Sequence, residues 1–221
     1  MKKEQLKKIS VTAMFCAVAF LMTFIFRFKV SFLTFDFKDA IITIASLLYG
    51  PTYGVISASV VSILEFLSVS DTGLYGLIMN FISSGTFALV SGLIYKFKRN
   101  FSGAIFSVIS AAVSVTTIMM LANVFITPLY MGIPRSEVIA LIPTLLLPFN
   151  LCKSIINAAS VLIIYKPITN TLKKTGLVIS SNSEYKISVK SILLVVISVA
   201  IIIFTVLFIL LYLGGSFELF K

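Results

Sequence analysis

The chain has 221 residues, 59% of them hydrophobic and only 12% charged. A soluble domain is roughly 45–50% apolar and about 25% charged, so a soluble globular protein is excluded. There is no His, no Trp and only two Cys, which removes His-based catalysis, a Cys/His metal cage and a disulfide framework. Eighteen Lys and Arg against eight Asp and Glu leave a net charge of +10. In a soluble protein that would point to nucleic acid; in a membrane protein it reports orientation.

A membrane helix needs about 20 mostly apolar residues, and seven hydrophobic spans are predicted. The first covers residues 9–26. The N-terminal MKKEQLKK followed by an apolar run resembles a signal peptide, but no small-residue cleavage site follows, so the run is read as a retained span. A short second span covers 39–49 and stops at Gly50-Pro51, a helix-breaking pair. The third covers 53–67, the fourth 74–95 and the fifth 103–126. Residues 136–147, interrupted by Pro143, read as a short helix or re-entrant piece. The sixth span starts at Pro148, since Pro is tolerated in a first turn, and ends near residue 165. A polar stretch over 166–190 reads as a linker, and the seventh span covers 192–213.

With the N-terminus in the cytoplasm, the cytoplasmic segments hold Lys2, Lys3, Lys7, Lys8, Lys96, Lys98, Arg99, Lys166, Lys173, Lys174, Lys186 and Lys190. The outer segments hold Arg27, Lys29, Lys38, Arg135 and Lys221. Twelve against five satisfies the positive-inside rule. The basic excess therefore describes cytoplasmic loops and speaks against nucleic acid as a partner.

Polar groups inside a bilayer are costly and are functional suspects. Here they gather at one level. Glu65 lies near the outer end of the third span, Asn80 nearly two turns into the fourth, and Asn123 in the last outer turn of the fifth. Asn150 and Lys153 open the sixth, and Asn157 follows on the same face at i, i+3, i+7. Ser62 with Glu65, and Asn80 with Ser84, form further helix-face pairs. Amides donate and accept, and an ammonium donates, so this set suits a polar heterocycle or a polyol in an apolar wall. The group Asp36, Lys38 and Asp39 fits a loop cap better than a ligand site, Ser59 and Ser62 fit helix contacts, and Lys153 could instead pair with Glu65. On the first span, Ala13 and Ala17 make a small-xxx-small pattern that favours close helix contact, within the molecule or with a partner. Cys16 and Cys152 read as small hydrophobes.

Several stretches resemble a known family. Phe32-Leu-Thr-Phe-Asp-Phe-Lys-Asp39, followed by Leu-Tyr-Gly50-Pro51, resembles the start of the substrate-binding S components of energy-coupling-factor (ECF) vitamin transporters. Asn123-Val-Phe-Ile-Thr-Pro-Leu-Tyr130 and Pro148-Phe-Asn-Leu-Cys-Lys153 with Asn157 resemble the riboflavin type. The resemblance covers about residues 8–175. It implies a six-helix membrane protein that binds a vitamin from outside and docks on a transmembrane coupling protein carrying two ATPases. It further implies that Asn123, Asn150 and Lys153 bond the flavin ring, and that Ala13 and Ala17 contact the coupling protein. The seventh span departs from the family's six.

The resulting expectation is an all-α integral membrane protein, an S-component-like bundle over residues 1–175, a cytoplasmic linker over 176–191 and an added C-terminal membrane helix and tail over 192–221. Its function would be riboflavin or related flavin uptake at a bacterial cell membrane, with the N-terminus cytoplasmic and substrate bound by Asn123, Asn150, Lys153, Asn80, Glu65 and Asn157. Another vitamin such as pantothenate or thiamine is the alternative substrate. A lipid-acting enzyme lacks acid–base candidates, and a ligand-free assembly protein leaves the convergent polar layer unexplained. No catalytic residue, metal or cofactor is expected.

Overall fold

The computed structural model describes residues 3–25, 27–69, 72–177 and 189–217. Eight α-helices and three short strands follow one another: α1 (Lys3–Ile25), β1 (Phe28–Val30), β2 (Leu33–Phe35), α2 (Lys38–Tyr49), α3 (Pro51–Ser68), α4 (Gly73–Phe97), α5 (Phe101–Met131), α6 (Arg135–Leu141), α7 (Leu147–Lys174), α8 (Val189–Tyr212) and β3 (Ser216–Phe217). A π-helical turn, Ile142–Leu146, joins α6 to α7. Among the described residues, six helical segments are long and apolar enough to cross a membrane. At about 1.5 Å per residue α2 reaches only about 18 Å, short of the ~30 Å hydrocarbon core. Ten of its twelve residues are buried, so it sits inside the bundle rather than facing lipid.

The helices meet through small residues. Ala40, Ala45, Ala58, Ala88, Ala104 and Ala111 are essentially inaccessible, which lets backbones approach closely where no water drives association. The tightest contact joins α2, α3 and α4 at Ser46. Its hydroxyl donates to the Ala88 carbonyl at 2.6 Å, and a Cβ on either Gly54 or Gly92 would collide with the Ser46 side chain.

Two ends of the molecule can be told apart. At one end the β1–β2 hairpin joins α1 to α2. At the other, Lys7 donates to the Gly176 carbonyl at 3.1 Å, and the Tyr95 and Tyr165 hydroxyls hydrogen-bond to each other. From that end α8 runs back along α7, facing it with the buried Ser198, Thr205 and Ile209. Its continuation β3 pairs antiparallel with β1, Phe28 opposite Phe217 and Lys29 opposite Ser216. The sheet order is β2-β1-β3.

Several boundaries differ from expectation. The fifth span does not stop at residue 126. Helix α5 continues through Pro128 to a left-handed cap at Gly132 (φ 68°), because the carbonyl that a Pro leaves unpaired is a modest loss once neighbouring helices hold the segment. Helix α7 likewise passes Pro167 and ends at Lys174 rather than 165. Residues 136–147 are helical throughout, Pro143 being accommodated in the π turn. The loop expected between the first two spans contains the hairpin, too short in each strand to leave a period-2 pattern. Most of the expected linker, 178–188, lies outside the described residues, and α8 begins three residues ahead of the expected span.

Candidate functional site

At the hairpin end a cavity of about 310 Å³ opens between α3, α4, α5, α7 and the hairpin, within the usual size of small-molecule sites. Five of the six residues picked out from the sequence line it: Glu65, Asn80, Asn123, Asn150 and Lys153. They arrive there for separate reasons. Helix α5 is 31 residues long, so its last turns carry Asn123, Thr127 and Tyr130 past the bundle and into the wall. The π turn ahead of α7, with Pro148 in the first turn of that helix, sets the register that aims Asn150 and Lys153 inward. Asn157 lies one turn deeper and does not line the cavity. Its Oδ1 accepts from the Ala40 N–H at 3.0 Å, and its Nδ2 donates to the Asp36 and Lys153 carbonyls at 3.2 and 3.0 Å. The structure thus commits that amide to pinning the start of α2.

The charged residues form one buried chain. Lys38 Nζ lies 2.7 Å from both Glu65 oxygens and 3.4 Å from Asp36 Oδ2. Asp36 Oδ2 also meets Lys153 Nζ at 3.1 Å. Asn80 Nδ2 donates to Glu65 Oε2 at 3.1 Å. Asp36 and Lys38 are buried, at 3% and 1% exposure, and both line the cavity. They therefore do not merely cap a loop, and it is Lys38 that pairs with Glu65, leaving Lys153 to Asp36. Burial by itself would raise the Asp36 carboxyl, but Lys153 and Lys38 beside it hold it down at about 2. Below the cavity Ser84 donates to Asp39. The sequence carried one signal for this chain: three charges within four residues, Asp36 to Asp39, at the start of an otherwise largely apolar helix.

The neutral amides differ in what they have left to offer. Asn123 donates to the Met119 carbonyl at 2.7 Å and accepts from the Thr127 hydroxyl at 2.9 Å. Asn150 donates to the Leu146 carbonyl at 2.8 Å, and its Oδ1 has no partner among the described residues. Lys153 keeps only a long 3.5 Å contact to the Thr34 carbonyl besides Asp36, so donor capacity remains for a guest. Around these groups stand Phe32, Tyr75, Tyr130 and Phe149. Phe32 and Tyr75 flank Tyr130 with ring centroids 6.0 and 6.3 Å away. Sequence alone could not choose these from twenty Phe and eight Tyr. A flat heterocycle can lie against such rings while amide and ammonium groups read its edge.

The small residues of α1 occupy another surface. Ala13 and Ala17 are exposed, on the side of the helix that also exposes Leu6 and Leu21. Packing inside the molecule therefore does not account for their pattern.

Residues 7–165 match the family model described as ECF transporter, substrate-specific component. The riboflavin transporter RibU of Staphylococcus aureus (strain TCH60) is 32% identical over 182 residues, covering 77% of this chain and 95% of that protein. The riboflavin transporter FmnP of Bacillus subtilis (strain 168) is 28% identical over 164 residues, covering 69% and 86%. A solved structure described as the S component of a bacterial ECF transporter superposes with a TM-score of 0.66 at 30% identity, over 76% of this chain and 99% of the other. With the family model spanning most of its length and a helical membrane architecture to match, this chain belongs to the substrate-specific components of ECF transporters.

Proposed function

We propose that the chain is the riboflavin-binding subunit of an ECF-type vitamin uptake transporter, loading from the outer side at the hairpin end. The observation that carries this is the convergence of Asn150, Lys153, Asn123 and the aromatic set on one cavity, in a chain similar to two riboflavin transporters. The isoalloxazine ring offers a planar face and an edge of alternating carbonyls and ring nitrogens; the ribityl chain offers hydroxyls. Asn150 Oδ1 accepts from a ring N–H and Lys153 donates to a ring carbonyl. The hydroxyls meet the Lys38–Glu65–Asn80 end of the cavity, where both donors and acceptors stand. Phe32, Tyr75, Tyr130 and Phe149 cover the ring faces.

The basic clusters at the opposite end, Lys7, Lys8, Lys96, Lys98 and Arg99, support a cytoplasmic N-terminus by the positive-inside rule. Transport energy would come from a transmembrane coupling protein with two ATPases. The exposed Ala13 and Ala17 surface supports docking on that partner through small-residue helix contact.

The test is to purify the protein, look for co-purifying flavin absorbance, and titrate riboflavin by quenching of its own fluorescence. Submicromolar affinity, stronger than about −8.2 kcal/mol, is expected. No binding below micromolar, with tight binding of pantothenate or thiamine in parallel, would move the assignment to that vitamin.

A further inference from the structure

Helix α8 and strand β3 lie beyond residues 7–165 that match the family, yet they brace the hairpin that lines the cavity. Leu33, Thr34 and Asp36, on or just after β2, line it, as do Lys29 and Phe32. The hairpin itself is slight: three residues per strand, turning through Ser31 at φ 55°. A two-stranded hairpin of that size is marginal alone, and a third strand or a packed partner is what makes such a sheet hold. Here the C-terminal segment supplies both. β3 adds to β1, and Ile209 of α8, 2% exposed, joins Val30, Phe35, Phe149, Cys152 and Ile156 in a second apolar core directly behind the hairpin.

The turn between α8 and β3 is made for this approach. Gly214 takes the left-handed conformation (φ 65°), and the Gly215 N–H returns to the Ile209 carbonyl at 3.1 Å. A Cβ on Gly215 would meet Ile209 Cγ2 at 2.9 Å and Val30 Cγ2 at 3.3 Å. Only a bare backbone lets the strand settle against the hairpin so closely.

We infer that α8–β3 is a strap: it holds the β1–β2 hairpin over the cavity mouth and sets how often the cavity opens. The hairpin is the lid, α8 anchors the strap along α7, and β3 is the latch that must part from β1 before the lid lifts. The opening rate is then set by a segment outside the residues that contact the ligand. The inference rests on the riboflavin reading only for its second readout.

The first readout needs no ligand. Ser83, on the cavity wall, is replaced by Cys, and its labelling by a membrane-impermeant maleimide is followed above the background of a chain with only the buried native Cys16 and Cys152. Adding Ser216→Pro deprives β3 of an N–H and of strand geometry, and labelling should speed at least about fivefold, the factor that follows from roughly 1 kcal/mol. Ile209→Ala, which loosens the strap at its anchor, should act in the same direction and serves if the Pro variant fails to fold. Unchanged labelling in a folded variant overturns the strap. The second readout is riboflavin release from a Lys29→Cys/Ser216→Cys protein. Residues facing each other across antiparallel strands lie within disulfide reach, so oxidation should slow release about tenfold, and reductant should restore it. Equal release in both states also overturns the strap. Absence of riboflavin binding by the unmodified protein would instead sink the substrate assignment, with the labelling still deciding the strap.

Discussion

Replacing Lys38 by Met removes the cation at the centre of the buried chain while keeping most of its stem. Glu65 would keep only the 3.1 Å bond from Asn80, and Asp36 would keep Lys153 and the backbone N–H of residue 38. With the Lys38 and Glu65 side chains 1% and 8% exposed, water can do little to compensate. Breaking a buried pair on one side costs about 3–5 kcal/mol; the lower end, about 3 kcal/mol, is expected because Glu65 retains the bond from Asn80. Removing both partners in Lys38→Met/Glu65→Leu should recover most of that loss, since an apolar pair of similar volume is often neutral or better. Equilibrium unfolding in mixed micelles gives the single and double values, and the double-mutant cycle should yield a coupling of at least about 2 kcal/mol. A cost below about 1 kcal/mol for Lys38→Met, as for an exposed pair, would refute the reasoning and mean that the chain is solvated. Riboflavin affinity then separates two roles. A stable double variant that still binds makes the pair scaffolding, and one that no longer binds makes it part of the ribityl site.

Lys153→Ala should weaken riboflavin binding at least about 100-fold, since a charged hydrogen bond to the ring is lost and Asp36 is left to Lys38 alone; Lys96→Ala, at the opposite end, should leave the titration unchanged. Ala13→Trp and Ala17→Trp should bind riboflavin normally yet fail to co-purify with the coupling protein, as pull-down from co-expressing cells would show. The Asp36 carboxyl is held below its ordinary 3.8, at about 2, so the stability it contributes is complete above pH 3.8 and is lost as pH falls toward 2. Thermal midpoints should thus fall across that window in the unmodified protein and stay flatter in Asp36→Asn.

How far the sequence carried the site depended on what each side chain needed. Helix existence and the shared level of Glu65, Asn80, Asn123, Asn150 and Lys153 along the bundle followed from burial cost in lipid, which is a one-dimensional property of the chain. Partners did not follow. Asp36 and Lys38 looked like a loop cap because nothing in their neighbourhood reveals that β2 carries them inward to Lys153 and Glu65, residues 117 and 27 positions away. Asn157 shares a helix stripe with Asn150 and Lys153, but depth along the stripe decides its role, and one turn further down it meets the backbone of α2 instead of open space. The hairpin and its third strand escaped notice because strands of two and three residues are defined by the chain that pairs with them, not by their own pattern.

The meeting of α2, α3 and α4 at Ser46 has a mechanical consequence. With Gly54 and Gly92 both closed against that residue, these helices cannot slide along one another without breaking contact, and they move as one stiff lever. One arm of the lever ends at the Glu65 and Asn80 wall, the other near Gly50 and Lys96. A displacement at the far end would therefore be carried by the three helices together to the Glu65 and Asn80 wall, rather than lost in sliding between them.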